Sequence, residues 1–174
     1  MWKEEGRGKL KVVVMQGKRL VIRDFKSSDP YVVITFGNQQ VAKTKVIKSC
    51  LNPVWNEELS FKLEEPLPIP NPILYLEVFD KDRFKADDKM GFAHLNIQPF
   101  LSAARLQQVL KTTTTTTTSL RKVIPDAQNC LVRESYINCV NGGDVIQEVW
   151  LRLCGVESGE IQFQLKLETP PVCD

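Results

Sequence analysis

The sequence predicts an all-β protein: an eight-stranded antiparallel β-sandwich with a helix-containing insertion between the sixth and seventh sandwich strands. Three observations carry the prediction. Apolar and polar residues alternate over short stretches rich in β-branched side chains. Gly, Pro, Asn and Asp punctuate those stretches. The length of 174 residues, 43% hydrophobic and 25% charged, suits a single domain with its own core. That domain is expected to span residues 1–174, with the insertion at about 99–144.

The strands follow in order. "KLKVVVMQ" (9–16) opens the set, and "PYVVITFG" (30–37), "QQVAKTKVI" (39–47) and "ELSFKL" (58–63) continue it. "ILYLEVFD" (73–80) and "GFAHLNI" (91–97) complete the first six, and "VIQEVWLRL" (145–153) and "GEIQFQLKLE" (159–168) close the sandwich. Within the insertion, Pro99 is a good first helical residue. "FLSAARLQQVL" after it has helix-forming content, with apolar Phe100, Leu101, Ala104, Leu106, Val109 and Leu110. The threonine run Thr112 to Thr118 opposes a helix and fixes no register, so a loop or a loosely set strand is expected. Alternation resumes over 129–140, and "NGGD" (141–144) supplies a hairpin turn.

Composition excludes several functions. Twenty-three Lys and Arg against 21 Asp and Glu leave a formal charge of +2, too balanced for a specific nucleic-acid binder. The start "MWKEEGRGKL" lacks the apolar stretch of a secretory signal, and no run approaches the roughly 18 apolar residues of a spanning helix. Cys50, Cys130, Cys139, Cys154 and Cys173 form an odd set without CxxC, which suits reduced cytosolic thiols, and neither end carries a standard lipidation motif. His94 has no evident serine or cysteine partner and reads as a packed or surface residue, so no catalytic set is expected.

The acidic loops carry the chemistry. "VFDKDRFKADDKMG" (78–91) crowds Asp80, Asp82, Asp87 and Asp88, and such crowding calls for a neutralising partner. An EF-hand begun at Asp80 fails, because its fifth, sixth and twelfth positions are Phe84, Lys85 and Gly91. Phosphoryl transfer lacks a phosphate loop of the GxxxxGK[ST] kind. A second acidic loop, "RDFKSSDP", holds Asp24 and Asp29, and the loops of a sandwich cluster at its ends. Asp24, Asp29, Asp80, Asp82 and Asp88 are then a candidate oxygen set for Ca²⁺, while the rival reading is a solvated end paired with Lys81, Arg83, Lys85 and Lys89.

"SDPYVV" (28–33), "KTKVI" (43–47), "NPVWNEELSF" (52–61) and the 78–91 loop together resemble, in order, the signature of the calcium- and phospholipid-binding C2 domain. "DDKMG", "QNCLVRES" (128–135) and "VWLRLCGVESGEIQFQL" (149–165) are similar to the plant C2-domain abscisic-acid-related proteins, and it is this resemblance that implies a family-specific insertion at about 99–144, accounting for the helix, the threonines and the extra hairpin. The resemblance implies the five aspartates as ligands, with the backbone oxygens of Phe25 and Lys81 completing the shell around two Ca²⁺ ions. It implies lipid contact through Phe25, Arg83 and Phe84, and a phosphoinositide-reading strand with Lys43, Lys45 and Trp55, although alternating lysines also protect an edge strand from aggregation. Asp87 is left outside the shell, balanced by Lys85 or Lys89.

The partners implied are an anionic phospholipid membrane and abscisic-acid receptors, with a GTPase as the alternative. The location implied is cytoplasmic and peripheral at the plasma membrane, with the nucleus as a further site. Two departures stand out: Lys85 replaces a serine found in some calcium-binding relatives, and the threonine run replaces a more varied segment.

Overall fold

A computed structural model describes residues 8–37, 40–63, 71–110, 116–140 and 143–168. In chain order the elements are β1 (Lys9–Lys18), β2 (Pro30–Phe36), β3 (Gln40–Lys43), β4 (Val54–Lys62), β5 (Ile73–Asp80) and β6 (Asp88–Asn96). Then come α1 (Gln98–Leu110), β7 (Thr118–Val123), β8 (Ser135–Cys139), β9 (Val145–Arg152) and β10 (Glu160–Glu168). The eight expected sandwich strands are present, and the insertion contributes β7 and β8 besides its helix.

Two antiparallel sheets form, one ordered β4-β1-β10-β9-β8-β7 and the other β3-β2-β5-β6. Period-2 alternation places one face of each strand inward. Val12, Phe61, Phe163 and Leu165 from the first sheet share one apolar cluster with Val32, Ile34, Leu76 and Val78 from the second. Fully burying each such aliphatic or aromatic side chain contributes roughly 1.5–3 kcal/mol, which is why the alternation specifies the fold so strongly. Phe100, Leu101 and Ala104 carry the first half of α1 into the same cluster, while Leu106, Val109 and Leu110 stay exposed.

Four boundaries differ from the sequence reading by three residues or more. The third strand stops at Lys43 because Thr44 intercepts the ladder: its Oγ1 accepts the Val32 N–H at 3.0 Å, and the chain bends away. The fourth strand starts earlier, at Val54 instead of Glu58, since pairing with β1 continues past a register shift to Gln16 opposite Val54. The sixth strand starts earlier, at Asp88, so that Asp88 lies directly opposite Asp80. Alternation over 129–140 becomes a strand only from Ser135, since the Asp126 carboxylate collects the Gln128 and Asn129 N–H groups into a turn. Thr118 opens β7, whereas Thr112 to Thr115, the turn residues Asn141 and Gly142, and Cys173 lie outside the described residues.

One glycine is essential to the site's geometry. The β5–β6 register shifts between Glu77 and Phe79, and Gly91 there adopts φ +110 with its α-carbon face against Val156 and Leu153. A Cβ would stand 2.8 Å from Val156 Cγ2, so no other residue fits. The bulge resets the pairing, with Phe79 opposite Lys89 and Asp80 opposite Asp88.

Candidate metal and membrane site

The β1–β2 loop is folded by its own polar groups. Ser28, fully buried, donates its hydroxyl to the Val21 carbonyl at 2.9 Å and accepts the Arg23 N–H at 2.8 Å. The Asp24 N–H reaches the Ser27 carbonyl at 2.9 Å, closing a tight turn that leaves Phe25 at the tip.

Backbone and side-chain bonds stitch this loop to the β5–β6 loop. The Asp29 N–H donates to Asp80 Oδ1 at 2.7 Å, the Lys81 N–H donates back to the Asp29 carbonyl at 3.0 Å, and Arg23 Nε donates to the Lys89 carbonyl at 3.0 Å. A third loop joins in, as Asp29 Oδ1 accepts the Ser49 N–H at 2.7 Å. The two acidic loops therefore meet at one end of the sandwich, because Pro30 and Asp80 are cross-strand partners.

The carboxylates converge inside this frame. Oxygens of Asp24, Asp80 and Asp82 lie within 4.8 Å of one another. Asp80 is wholly buried; its Oδ1 takes the Asp29 N–H, and its Oδ2 has no hydrogen-bond partner. Asp82 Oδ2 is likewise buried without a hydrogen bond, its nearest cation being Lys85 Nζ at 3.8 Å. Burial raises the Asp80 carboxyl above the usual range, and the nearby Asp24, Asp82 and Asp29 charges add to that while the Asp29 N–H opposes it. Burial also raises Asp82, partly offset by Lys85.

Buried carboxylate oxygens left unpartnered are costly unless a cation meets them. A donor set made only of oxygens, converging from loops, fits a hard divalent ion such as Ca²⁺, so the residues present match the implied metal. Backbone oxygens of Phe25 and Lys81 belong to the same two loops.

Asp87 is placed differently from the sequence reading. Its neutralising partners are neither Lys85 nor Lys89: Tyr31 donates its hydroxyl to Asp87 Oδ2, the Asp82 N–H donates to Oδ1 at 2.9 Å, and Lys81 Nζ is 3.6 Å away. The Tyr31 hydroxyl is the main reason that the Asp87 carboxyl is lowered. Tyr31 itself is pushed up to about 12, by burial first and then by Asp87. This pair braces the β5–β6 loop, a role that the alternation of β2 gives no hint of, since Tyr31 reads simply as an outward-facing strand residue. Lys85 instead contacts Asp88 at 3.1 Å as well as Asp82.

Two aromatic tips rise beside the aspartates. Phe25 is 94% exposed and Phe84 93% exposed, with Lys26 and Arg83 over their rings at 5.6 and 6.0 Å. The basic strand is arranged otherwise. Lys43 ends β3 and Lys45 lies just past it; both are exposed and flank the buried Thr44. Trp55 is half-buried against the core, and its indole N–H donates to the Lys45 carbonyl at 3.0 Å.

His94 does have a cysteine neighbour, contrary to the sequence reading. Its Nδ1 is 3.7 Å from Cys130 Sγ, which is 3.7 Å from Cys154 Sγ, and its Nε2 sits 3.1 Å from the Gln128 carbonyl. Burial pushes the Cys130 thiol up, with the His94 contact opposing it, which disfavours the thiolate. Among the described residues, no helix is long and apolar enough to cross a membrane.

An antiparallel sandwich that gathers loop carboxylates at one end defines the C2 class of module. The family model described as the C2 domain matches residues 8–115. The chain is 61% identical over 167 residues to "Protein C2-DOMAIN ABA-RELATED 11" of Arabidopsis thaliana, covering 96% of each. It is 44% identical over 161 residues to "GTPase activating protein 1" of Oryza sativa subsp. indica, covering 91% of this chain and 90% of that one. Among solved structures, the calcium-bound pair of C2 domains from Extended-Synaptotagmin 2 matches with a TM-score of 0.59 at 22% identity, covering 92% of this chain and 45% of that chain. A C2 domain of plant Extended Synaptotagmin 1 matches with a TM-score of 0.54 at 20% identity, covering 96% of this chain and 97% of that chain. These structural likenesses show the fold. The chain belongs to the C2 domain family and, within it, to the plant C2-domain ABA-related proteins.

Proposed function

We propose that the protein is a non-enzymatic, Ca²⁺-dependent phospholipid-binding module that docks on anionic membranes and recruits partner proteins there. One juxtaposition supports this reading most: two almost fully exposed phenylalanines stand beside a cup of aspartates in which the buried Oδ2 atoms of Asp80 and Asp82 make no hydrogen bond. Asp24, Asp29, Asp80, Asp82 and Asp88, with the Phe25 and Lys81 carbonyls, are the residues proposed to hold two ions. Bound Ca²⁺ would cancel most of the negative charge at the tip and leave coordination positions open to lipid phosphate or carboxylate oxygens.

The chain's own groups do the rest. Without metal, the carboxylates repel an anionic surface, and the loops are already fixed by Ser28, Asp87 and Tyr31, so little backbone movement is needed. Phe25 and Phe84 can enter the interfacial zone while Lys26 and Arg83 remain at headgroup level. Each ring contributes about 2 kcal/mol, enough for reversible attachment only when the electrostatics are favourable. Lys43 and Lys45 form a second basic contact on the flank, with Trp55 holding the Lys45 backbone. The partners proposed are abscisic-acid receptors, brought to the plasma membrane.

The test is co-sedimentation with vesicles containing phosphatidylserine. Wild-type protein is expected in the pellet with Ca²⁺ and in the supernatant with chelator, and Phe25→Ala with Phe84→Ala is expected to weaken pelleting by ~30-fold per ring. Attachment indifferent to chelator would overturn the reading. The similarity to the rice GTPase activating protein 1 favours a second reading, a regulator that binds a GTPase and stimulates its hydrolysis. Single-turnover GTP hydrolysis by a candidate GTPase, with and without this protein, separates the two.

A further inference from the structure

Of the basic residues in the β5–β6 loop, Lys85 is the one whose charge reaches the aspartate cup. Lys81 is turned toward Asp87 and Arg83 lies over Phe84. Lys85 Nζ stands 3.1 Å from Asp88 Oδ2 and 3.8 Å from Asp82 Oδ2, bridging the outer pair of carboxylates three residues to either side. The inner group, Asp24, Asp80 and Asp82, is left without such a partner at its centre: Asp80 Oδ2 is buried and unbonded in a residue with no exposure at all.

The cup thus has two unequal halves. An inner half presents an unanswered, desolvated oxygen. An outer half is already answered by a cation belonging to the chain, and that side chain is 63% exposed, free to leave. A monovalent ammonium bridging two carboxylates competes with a divalent ion for the same oxygens, so an ion entering the outer half must first displace it.

We propose that Lys85 is a tethered counter-ion of the outer Asp82–Asp88 pair, which makes Ca²⁺ loading sequential: the inner half fills first, and the outer half fills at a higher concentration set by displacement of Lys85. This rests on the calcium reading above and specifies its regulation. Displacement has a second consequence. The released ammonium sits beside Arg83 and Phe84, so outer loading adds a positive charge to the face that meets anionic lipid.

Calorimetric titration of the full chain with Ca²⁺, in the absence of lipid, tests it. Wild type is expected to give two steps. Lys85→Ser is expected to tighten the weaker step roughly tenfold, leaving the stronger one within about twofold, and Lys85→Arg, which keeps the charge, is expected to retain the weak step. A melt in chelator supplies an independent readout: Lys85→Ser should melt lower than wild type, because the outer carboxylates lose their counter-ion, and should gain more on adding Ca²⁺. Two identical isotherms for wild type and Lys85→Ser, or an equal shift of both steps, would sink the role of Lys85 while leaving the metal site standing. Failure of both proteins to take up Ca²⁺ would sink the site and the inference together.

Discussion

The molecule has two charged surfaces built on opposite principles. At the loop end, acidic groups are packed together, desolvated and left with unpartnered oxygens. On the flank, Lys43 and Lys45 are separated by the buried Thr44 and exposed, and the strand's polar needs are met internally: Glu57 accepts the Lys45 N–H at 2.9 Å and Trp55 donates to the Lys45 carbonyl. Like charges held close and dry raise the energy of the metal-free protein. Like charges spaced along a wet strand cost little. The first surface is therefore incomplete by itself, and the second is complete without any ligand.

The contrast can be broken from its strong side. Asp82→Asn removes a charge shared by the inner and outer halves of the cup, and Ca²⁺ affinity by calorimetry is expected to fall on the order of 100-fold. An unchanged affinity would mean that the crowding of aspartates serves something other than metal.

From the weak side, Lys43→Ala with Lys45→Ala is expected to reduce binding to phosphoinositide-containing vesicles by roughly fivefold per lysine, at about 1 kcal/mol each, with no change in Ca²⁺ titration. A larger loss would move the flank from bystander to principal lipid contact.

The smallest effect sharpens the comparison most. Asp80→Asn keeps the oxygen that accepts the Asp29 N–H and deletes the buried unpartnered charge, so the metal-free protein, melted in chelator, is expected to gain about 1 kcal/mol. The pH dependence has a definite sign. The Asp80 carboxyl is raised in the folded chain, so between its unfolded and folded values the native state holds the extra proton. Its contribution to stability is then present at low pH and lost as pH rises through the raised value. Denaturant melts in chelator across the acidic range should show that slope in wild type and a shallower one in Asp80→Asn, where the raised Asp82 keeps its share.

Much was legible in advance. The positions of β1, β2 and β5 and the helix after Pro99 follow from alternation, proline and turn residues. That the two acidic loops would meet was legible too, because loops of a sandwich share its ends; of the five aspartates expected together, Asp24, Asp80 and Asp82 bring oxygens within 4.8 Å of one another. Less legible were the partners. Asp87 and Asp88 are sequence neighbours, yet one is bound by Tyr31 from another strand and the other by Lys85 from its own loop. The thiols near His94 were equally hidden, since residues 94, 130 and 154 meet only when three segments pack.

The chain's local pattern by itself determined where most of the strands lie, though not every strand limit, and how many carboxylates the two loops bring. Those properties depend on neighbours within a few residues, through backbone geometry and the two-residue period of a pleated strand. Tertiary structure alone decided which carboxylate oxygens are stripped of water, which are answered by Tyr31 or Lys85, and which are left open. Desolvation and charge pairing depend on distance in space, and the fold brings residue 24 against residue 80 in a way that no local rule contains.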